Sequence, residues 1–255
     1  MSARQARRIV AVTLATLLCD CGRADAQQGS APSKWADTIS AEIEKAQLAD
    51  DATRLNAAVA LAGRVATAYP TDGLILHYQG YALYRRAVSH AANSAGDAAT
   101  LESAKVVLAR SLQSHPLPET HMLIASIDGQ LIASDPNRAM ELGIDSQSET
   151  GAALAIGAKN PRVWLLRGQG AIFTPPEYGG GLDQAEAQLK RAIELFAADA
   201  PKLGEPSWGK AEAYAWLGQV YEKKGDKVNA AAMYDKAIEI APTYAFAKAA
   251  RAALE

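Results

Sequence analysis

Two short stretches of this 255-residue chain hold side chains of the kind and spacing that chemistry uses. The first, FTPPEYGGGLDQA, runs from Phe173 to Ala185 and sets three consecutive glycines ahead of an apolar-periodic segment. Glycine amides at a helix N-terminus can cradle a phosphate. A phosphate loop, however, needs a preceding strand and a Gly-Lys-Ser/Thr ending, and here Gly181 is followed by Leu182, Asp183 and Gln184. Asp183 would put negative charge where the phosphate docks, whereas in a first helical turn it favours the helix itself. Pro175 and Pro176 end the preceding helix and stiffen the exit. The glycines are therefore expected to form a turn, with Tyr178 exposed at its tip as a docking loop. The second stretch, HPLPETH, carries His115, Glu119 and His121, which are metal-ligand types. Its two prolines make it an irregular connection, and the spacing is too loose for a defined metal site. His77 and His90 stand alone, and Ser89, Ser94 and Ser111 lack a Gly-x-Ser-x-Gly context. The pairs Glu42/Glu44 and Asp50/Asp51 read as solvated helix faces or ends. No catalytic constellation, metal site or cofactor is expected, so the chain is not expected to be an enzyme.

The elements that would position any binding residues are helical. In Ala211–Tyr244 (AEAYAWLGQVYEKKGDKVNAAAMYDKAIEIAPTY), apolar and small residues fall at Tyr214, Leu217, Gly218 and Tyr221, then at Ala230, Tyr234 and Ala237. Spacings of three and four put one apolar stripe on each of two helices. Gly225-Asp226 breaks the stripe at a turn, and Pro242 stops the second helix. Short side chains at Gly218 and Ala230 let the two helices approach closely. This segment resembles the tetratricopeptide repeat at its signature positions, with Tyr in place of the usual leading Trp and of Phe.

The same unit recurs upstream with stretched turns. RVWLLRGQGAIF pairs with LDQAEAQLKRAIELF, and LILHYQGYALYRRA pairs with LESAKVVLARSLQSHP. A degenerate pair, ETHMLIASIDGQLI and SETGAALAIGAKNP, lies between them, and SKWADTISAEIEKAQLA with ATRLNAAVALAGRVATAYP comes first. Prolines 70, 116, 161 and 242 punctuate these helix ends. No apolar-polar alternation long enough for a sheet occurs. The resemblance implies an all-α fold: a right-handed α-solenoid of about five helix-turn-helix hairpins, closed by a capping helix in AFAKAARAALE.

Composition narrows the partners. A net charge of −2 gives no basic footprint for nucleic acid, and no apolar run reaches the length of a transmembrane helix. Residues 1–26 read as a signal peptide: the basic MSARQARR, the apolar IVAVTLATLL, and an Ala-x-Ala cleavage site at Ala24–Ala26. The chain is thus expected to be exported by the general pathway, periplasmic or secreted, with a helical repeat domain over residues 27–255. Cys19 and Cys21 lie upstream of the cut, and the residues before them, Leu18 and Asp20, disfavour a lipid anchor. Cleavage at Ala26 would leave no thiol chemistry.

In the tetratricopeptide family the first helix of each hairpin lines a concave groove with its second, fifth, ninth and twelfth residues. Carried onto this chain, the resemblance implies a groove of His77, Tyr81 and Tyr84 from the second hairpin and Gln130 from the third. Arg162, Gln169 and Ile172 follow from the fourth, and Gln219 and Glu222 from the fifth. Tyrosines, an arginine and amides suit a peptide or a small polar ligand, although Tyr81 and Tyr84 could equally fill the core between repeats. Tyr81 and Gln219 at the ninth position depart from the basic and Asn pattern of chaperone-tail clamps. The expected function is an interaction module for a protein or peptide partner, the alternative being a solute-binding accessory similar to the repeat-containing T-components of periplasmic transporters. Partner identity and oligomeric state are not written in the sequence.

Overall fold

A computed structural model describes residues 30–89 and 97–255. The signal peptide assigned to residues 1–26, and residues 90–96 with His90 and Ser94, lie outside the described residues. Eleven α-helices and no strand occur among the described residues. They are α1 (Ala31–Leu48), α2 (Ala52–Ala68), α3 (Gly73–Ala87), α4 (Ala98–Leu112), α5 (Pro118–Ser134) and α6 (Ala139–Gly157), then α7 (Pro161–Phe173), α8 (Leu182–Phe196), α9 (Lys210–Lys223), α10 (Lys227–Ile240) and α11 (Ala245–Ala252). Consecutive helices pack as antiparallel pairs, α1/α2 through α9/α10, and the pairs stack into a solenoid that α11 closes.

Local chemistry fixes where these helices begin. Asp51, Asp72, Asp97 and Asp226 each occupy an N-cap and accept from the backbone N–H three residues on, at 2.9, 3.0, 3.3 and 3.0 Å. Each cap satisfies an amide that the helix leaves unbonded. Pro118 and Pro161 sit at the first position of their helices, where a missing N–H has no consequence. Pro161 therefore opens α7, with residues 158–160 separating it from the end of α6 at Gly157.

Within three hairpins the same contact recurs. A Cβ at Gly80 would meet Leu108 Cγ at 2.5 Å, one at Gly168 would meet Leu189 Cγ at 2.6 Å, and one at Gly218 would meet the Tyr234 ring at 2.8 Å. Each glycine lets its partner helix close to contact distance, and Leu108, Leu189 and Tyr234 are fully buried as a result. The third hairpin is the irregular one. A 3-10 turn (Pro136–Arg138) precedes α6, which buries only Leu142, Ala153 and Gly157.

Candidate binding site on the concave face

The inner surface of the solenoid is built from the first helices of successive hairpins: α3, α5, α7 and α9. Asp72 caps α3 and Asn160 caps α7, its side chain accepting from the Arg162 N–H at 2.9 Å. These caps set the rotation of each first turn and so the direction in which His77, Tyr81, Arg85 and Arg162 point.

At the centre three rings lie nearly parallel. His77 and Tyr81 stack with centroids 6.2 Å apart, and Tyr81 stacks on Trp208 at 4.8 Å. Trp208 comes from the connection between α8 and α9 and is fully buried. Two guanidiniums flank the stack. Arg85 lies 5.1 Å from the Tyr81 centroid and 5.5 Å from that of Trp208, while Arg162 lies 5.4 Å from Phe196 and 5.9 Å from Trp208. Such contacts stabilise most when water is excluded, as it is here.

Each guanidinium also has a carboxylate. Arg85 Nη2 donates to both oxygens of Glu212 at 2.7 and 2.8 Å, its Nε donates to Tyr81 Oη at 2.9 Å, and Gln47 Nε2 donates to Glu212 at 2.8 Å. Arg162 holds Asp199 with two parallel bonds of 3.1 and 2.7 Å. Burial opposes the Arg85 charge, but Glu212, Tyr81 and Tyr84 hold its pKa above the ordinary value. Glu44, half-buried nearby, is pushed up by burial and by Glu212. Burial lowers the His77 pKa to about 3, with His115 adding to the effect, so the ring is neutral at pH 7. Its Nδ1 lies 2.8 Å from Thr120 Oγ1. Three polar atoms of this centre, His77 Nε2, Arg162 Nε and Trp208 Nε1, are buried with no hydrogen-bond partner.

The residues expected to line an open groove therefore divide. His77, Tyr81, Tyr84 and Arg162 are buried, with Arg162 only 1% exposed, because concave residues of the second, fourth and fifth hairpins pack on one another and on Trp208. Gln169, Ile172 and Gln219 are half-buried, and Gln130 and Glu222 are exposed. Gln169 and Gln219 occupy the same register of α7 and α9, and each keeps one buried amide atom, Nε2 and Oε1 respectively, without a partner. Glu222 accepts from Tyr234 Oη at 2.7 Å, tying it to its own hairpin.

Four functional candidates escaped the sequence reading: Arg85, Asp199, Trp208 and Glu212. Glu212 is the second residue of the repeat that begins at Ala211, the position Arg162 holds in α7, so the register rule selects it. Trp208 could have been noticed as a lone aromatic inside the Gly/Pro/Ser-rich PKLGEPSWG, since surface connections of that composition seldom carry one without a contact to make.

The other two stretches resolve as structure. In HPLPETH, Glu119 accepts from Asn160 Nδ2 at 2.7 Å, while His121 Nδ1 pairs with Glu149 on α6 at 2.6 Å, so the ligand types point to separate neighbours. The glycine run turns the chain from α7 into α8. The Gly181 N–H donates to Ala171 and Thr174 carbonyls at 2.8 and 2.9 Å, Gly179 and Gly181 adopt positive φ of 83° and 94°, and a Cβ on Gly180 would collide with the Thr174 carbonyl. Tyr178 stands 79% exposed at the tip. Among the described residues no helix is long and apolar enough to cross a membrane.

Comparison with known proteins bears on the fold. The tetratricopeptide repeat profile matches residues 211–244. No curated protein matches the chain in sequence. The HusA haemophore from Porphyromonas gingivalis superposes with a TM-score of 0.62 at 21% identity, over 77% of this chain and 96% of that one. A thermophilic tetratricopeptide repeat protein of Thermus thermophilus gives 0.56 at 22% identity, over 79% and 91%. Residues 211–244 thus match one tetratricopeptide repeat in sequence, and the successive helix pairs share the fold of a solved tetratricopeptide repeat protein.

Proposed function

We propose that the chain is an exported, non-enzymatic interaction module, periplasmic or secreted, that binds an extended peptide segment of a protein partner along its concave face. The observation that carries this is the amide pair at one register of successive repeats. Gln169 Nε2 and Gln219 Oε1 are buried without partners, a donor and an acceptor set one repeat apart. A buried polar atom left unbonded costs about 1–3 kcal/mol. A peptide backbone laid across α7 and α9 offers a carbonyl and an N–H to satisfy both. Ile172 and Glu222, one turn further along the same helices, supply an apolar and an acidic contact beside them, and Gln130 extends the line onto α5. Tyr178 at the glycine turn is a second docking point at the edge of this surface.

Affinity capture from crosslinked cell envelopes tests the proposal, with the chain and its Gln169→Ala/Gln219→Ala variant as parallel baits. A protein recovered by the parent and lost by the variant supports the groove; equal recovery by both refutes it.

A second reading, a carrier of a small flat solute, draws on the ring stack between Arg85 and Arg162, which would suit a planar ligand bearing carboxylates. Haemin, chosen because a haemophore shares the fold, is the first probe. An unchanged haemin absorbance spectrum on mixing removes that ligand.

A further inference from the structure

The connection between α8 and α9 is longer than its counterparts. Residues 197–209 join these hairpins, whereas residues 69–72, 158–160 and 241–244 suffice at the equivalent junctions. Long connections without regular structure usually serve a function. Most of this one is exposed, including Pro201, Lys202, Glu205 and Ser207. Two groups tie it to the concave centre: the Asp199 carboxylate on Arg162, and the Trp208 ring on Tyr81. Both converge on one guanidinium, whose edge is taken by Asp199 and whose Cζ lies 5.9 Å from the Trp208 ring centroid.

The fit is incomplete. Trp208 Nε1 is fully buried and unbonded, as are Arg162 Nε and His77 Nε2 in the same cluster. A permanent core would be expected to satisfy such atoms. The tryptophan is also bracketed by glycines in the left-handed region, Gly204 at φ 84° and Gly209 at φ 105°, so the segment turns sharply on either side of its anchor.

We propose that residues 197–209 are a displaceable internal occupant of the concave face, and that the site beneath them takes an acidic, tryptophan-bearing peptide from a second protein. The proposal rests on the groove reading above and adds the chemistry of its ligand. The incoming peptide puts its indole on Tyr81 and a carboxylate on Arg162, the two contacts that the chain now makes with itself. Because only the open fraction of the molecule can bind, the parent's apparent affinity falls below the intrinsic one by that fraction.

The test uses the full chain and a fluorescein-labelled peptide of residues 197–210, AADAPKLGEPSWGK, followed by fluorescence anisotropy. Trp208→Ala is expected to bind it at least about tenfold more tightly than the parent, and a peptide with its tryptophan replaced by alanine should bind neither. Equal affinity for parent and variant, or no binding by a variant whose circular dichroism remains helical, overturns the proposal. Should Trp208→Ala fail to fold, hydrogen exchange on the parent decides. Amides of residues 202–209 exchanging well before those of α3 and α9 support a displaceable segment, and release only together with those helices overturns it. The Gln169→Ala/Gln219→Ala capture reads a different part of the groove. Loss of the peptide result leaves that reading standing, and equal capture refutes that reading whatever the peptide does.

Discussion

His77 gives the protein a pH dependence of calculable size. Its ring is fully buried between Tyr78 and Tyr81, bonded to Thr120, and its pKa is lowered from 6.5 to about 3, chiefly by burial. In the unfolded chain the same imidazole takes a proton near 6.5, so below that pH unfolding is accompanied by proton uptake. Its contribution to stability is whole above pH 6.5 and is lost progressively as pH falls from there toward 3. The loss is about 2 kcal/mol at pH 5 and about 1.4 more for each further unit down. Buried carboxyls act the other way. Burial raises the pKa of Glu44, Glu119 and Asp128, so each favours the folded state as pH falls from its folded value toward its unfolded one. A single stability curve mixes these contributions, and a variant separates them. His77→Gln keeps a polar group beside Thr120 and removes the titration. Urea unfolding of both proteins at pH 7.5, 6, 5 and 4.5 is the assay. The variant is expected to be less stable at pH 7.5, with the gap closing by about 2 kcal/mol at pH 5. Parallel curves across that range would refute the buried neutral imidazole.

Other outcomes follow from the packing. Gly80→Ala and Gly218→Leu should each destabilise by about 1–3 kcal/mol, because their new atoms meet Leu108 and Tyr234. Gly129→Ala, whose Cβ meets nothing within 4 Å in α5, should stabilise by about 0.5–1 kcal/mol. Thermal melts of the three variants check the signs, and a destabilised Gly129→Ala would mean that the space around α5 is misread. Arg85→Met should cost about 3–5 kcal/mol by leaving Glu212 buried without its cation. The double variant Arg85→Met/Glu212→Met should regain most of that loss. Additive losses in the double-mutant cycle would show that the pair is not coupled.

The hairpins were legible because their information is local. Tyr214, Gly218, Ala230 and Tyr234 lie on stripes of period three to four, and Asp226 and Gly225 mark the turn between them. The groove was legible only as a register. The rule that selects Arg162 says which way the side chain points, not that Asp199 and Phe196 will enclose it. Burial of His77 and Tyr81 depends on curvature summed over several repeats, which brings α3 and α9 face to face, and no stretch of sequence encodes that distance. Trp208 obeys no register at all, since it sits in a connection. Its role emerges only when the opposite wall is in place.

The Arg85–Glu212 pair joins residues 127 apart in sequence, and Gln47 reaches the same carboxylate from 165 positions away. Leu48, at the end of α1, packs against the cluster around Ala215 and Tyr244. An open repeat array interacts only between neighbours, so its ends fray and its segments unfold in succession. Here the second and fifth repeats are cross-braced, and opening either end must break contacts at the other. The chain should therefore melt as one cooperative unit, and should fold more slowly than a repeat protein of its length, because loops of that size must close before the brace forms.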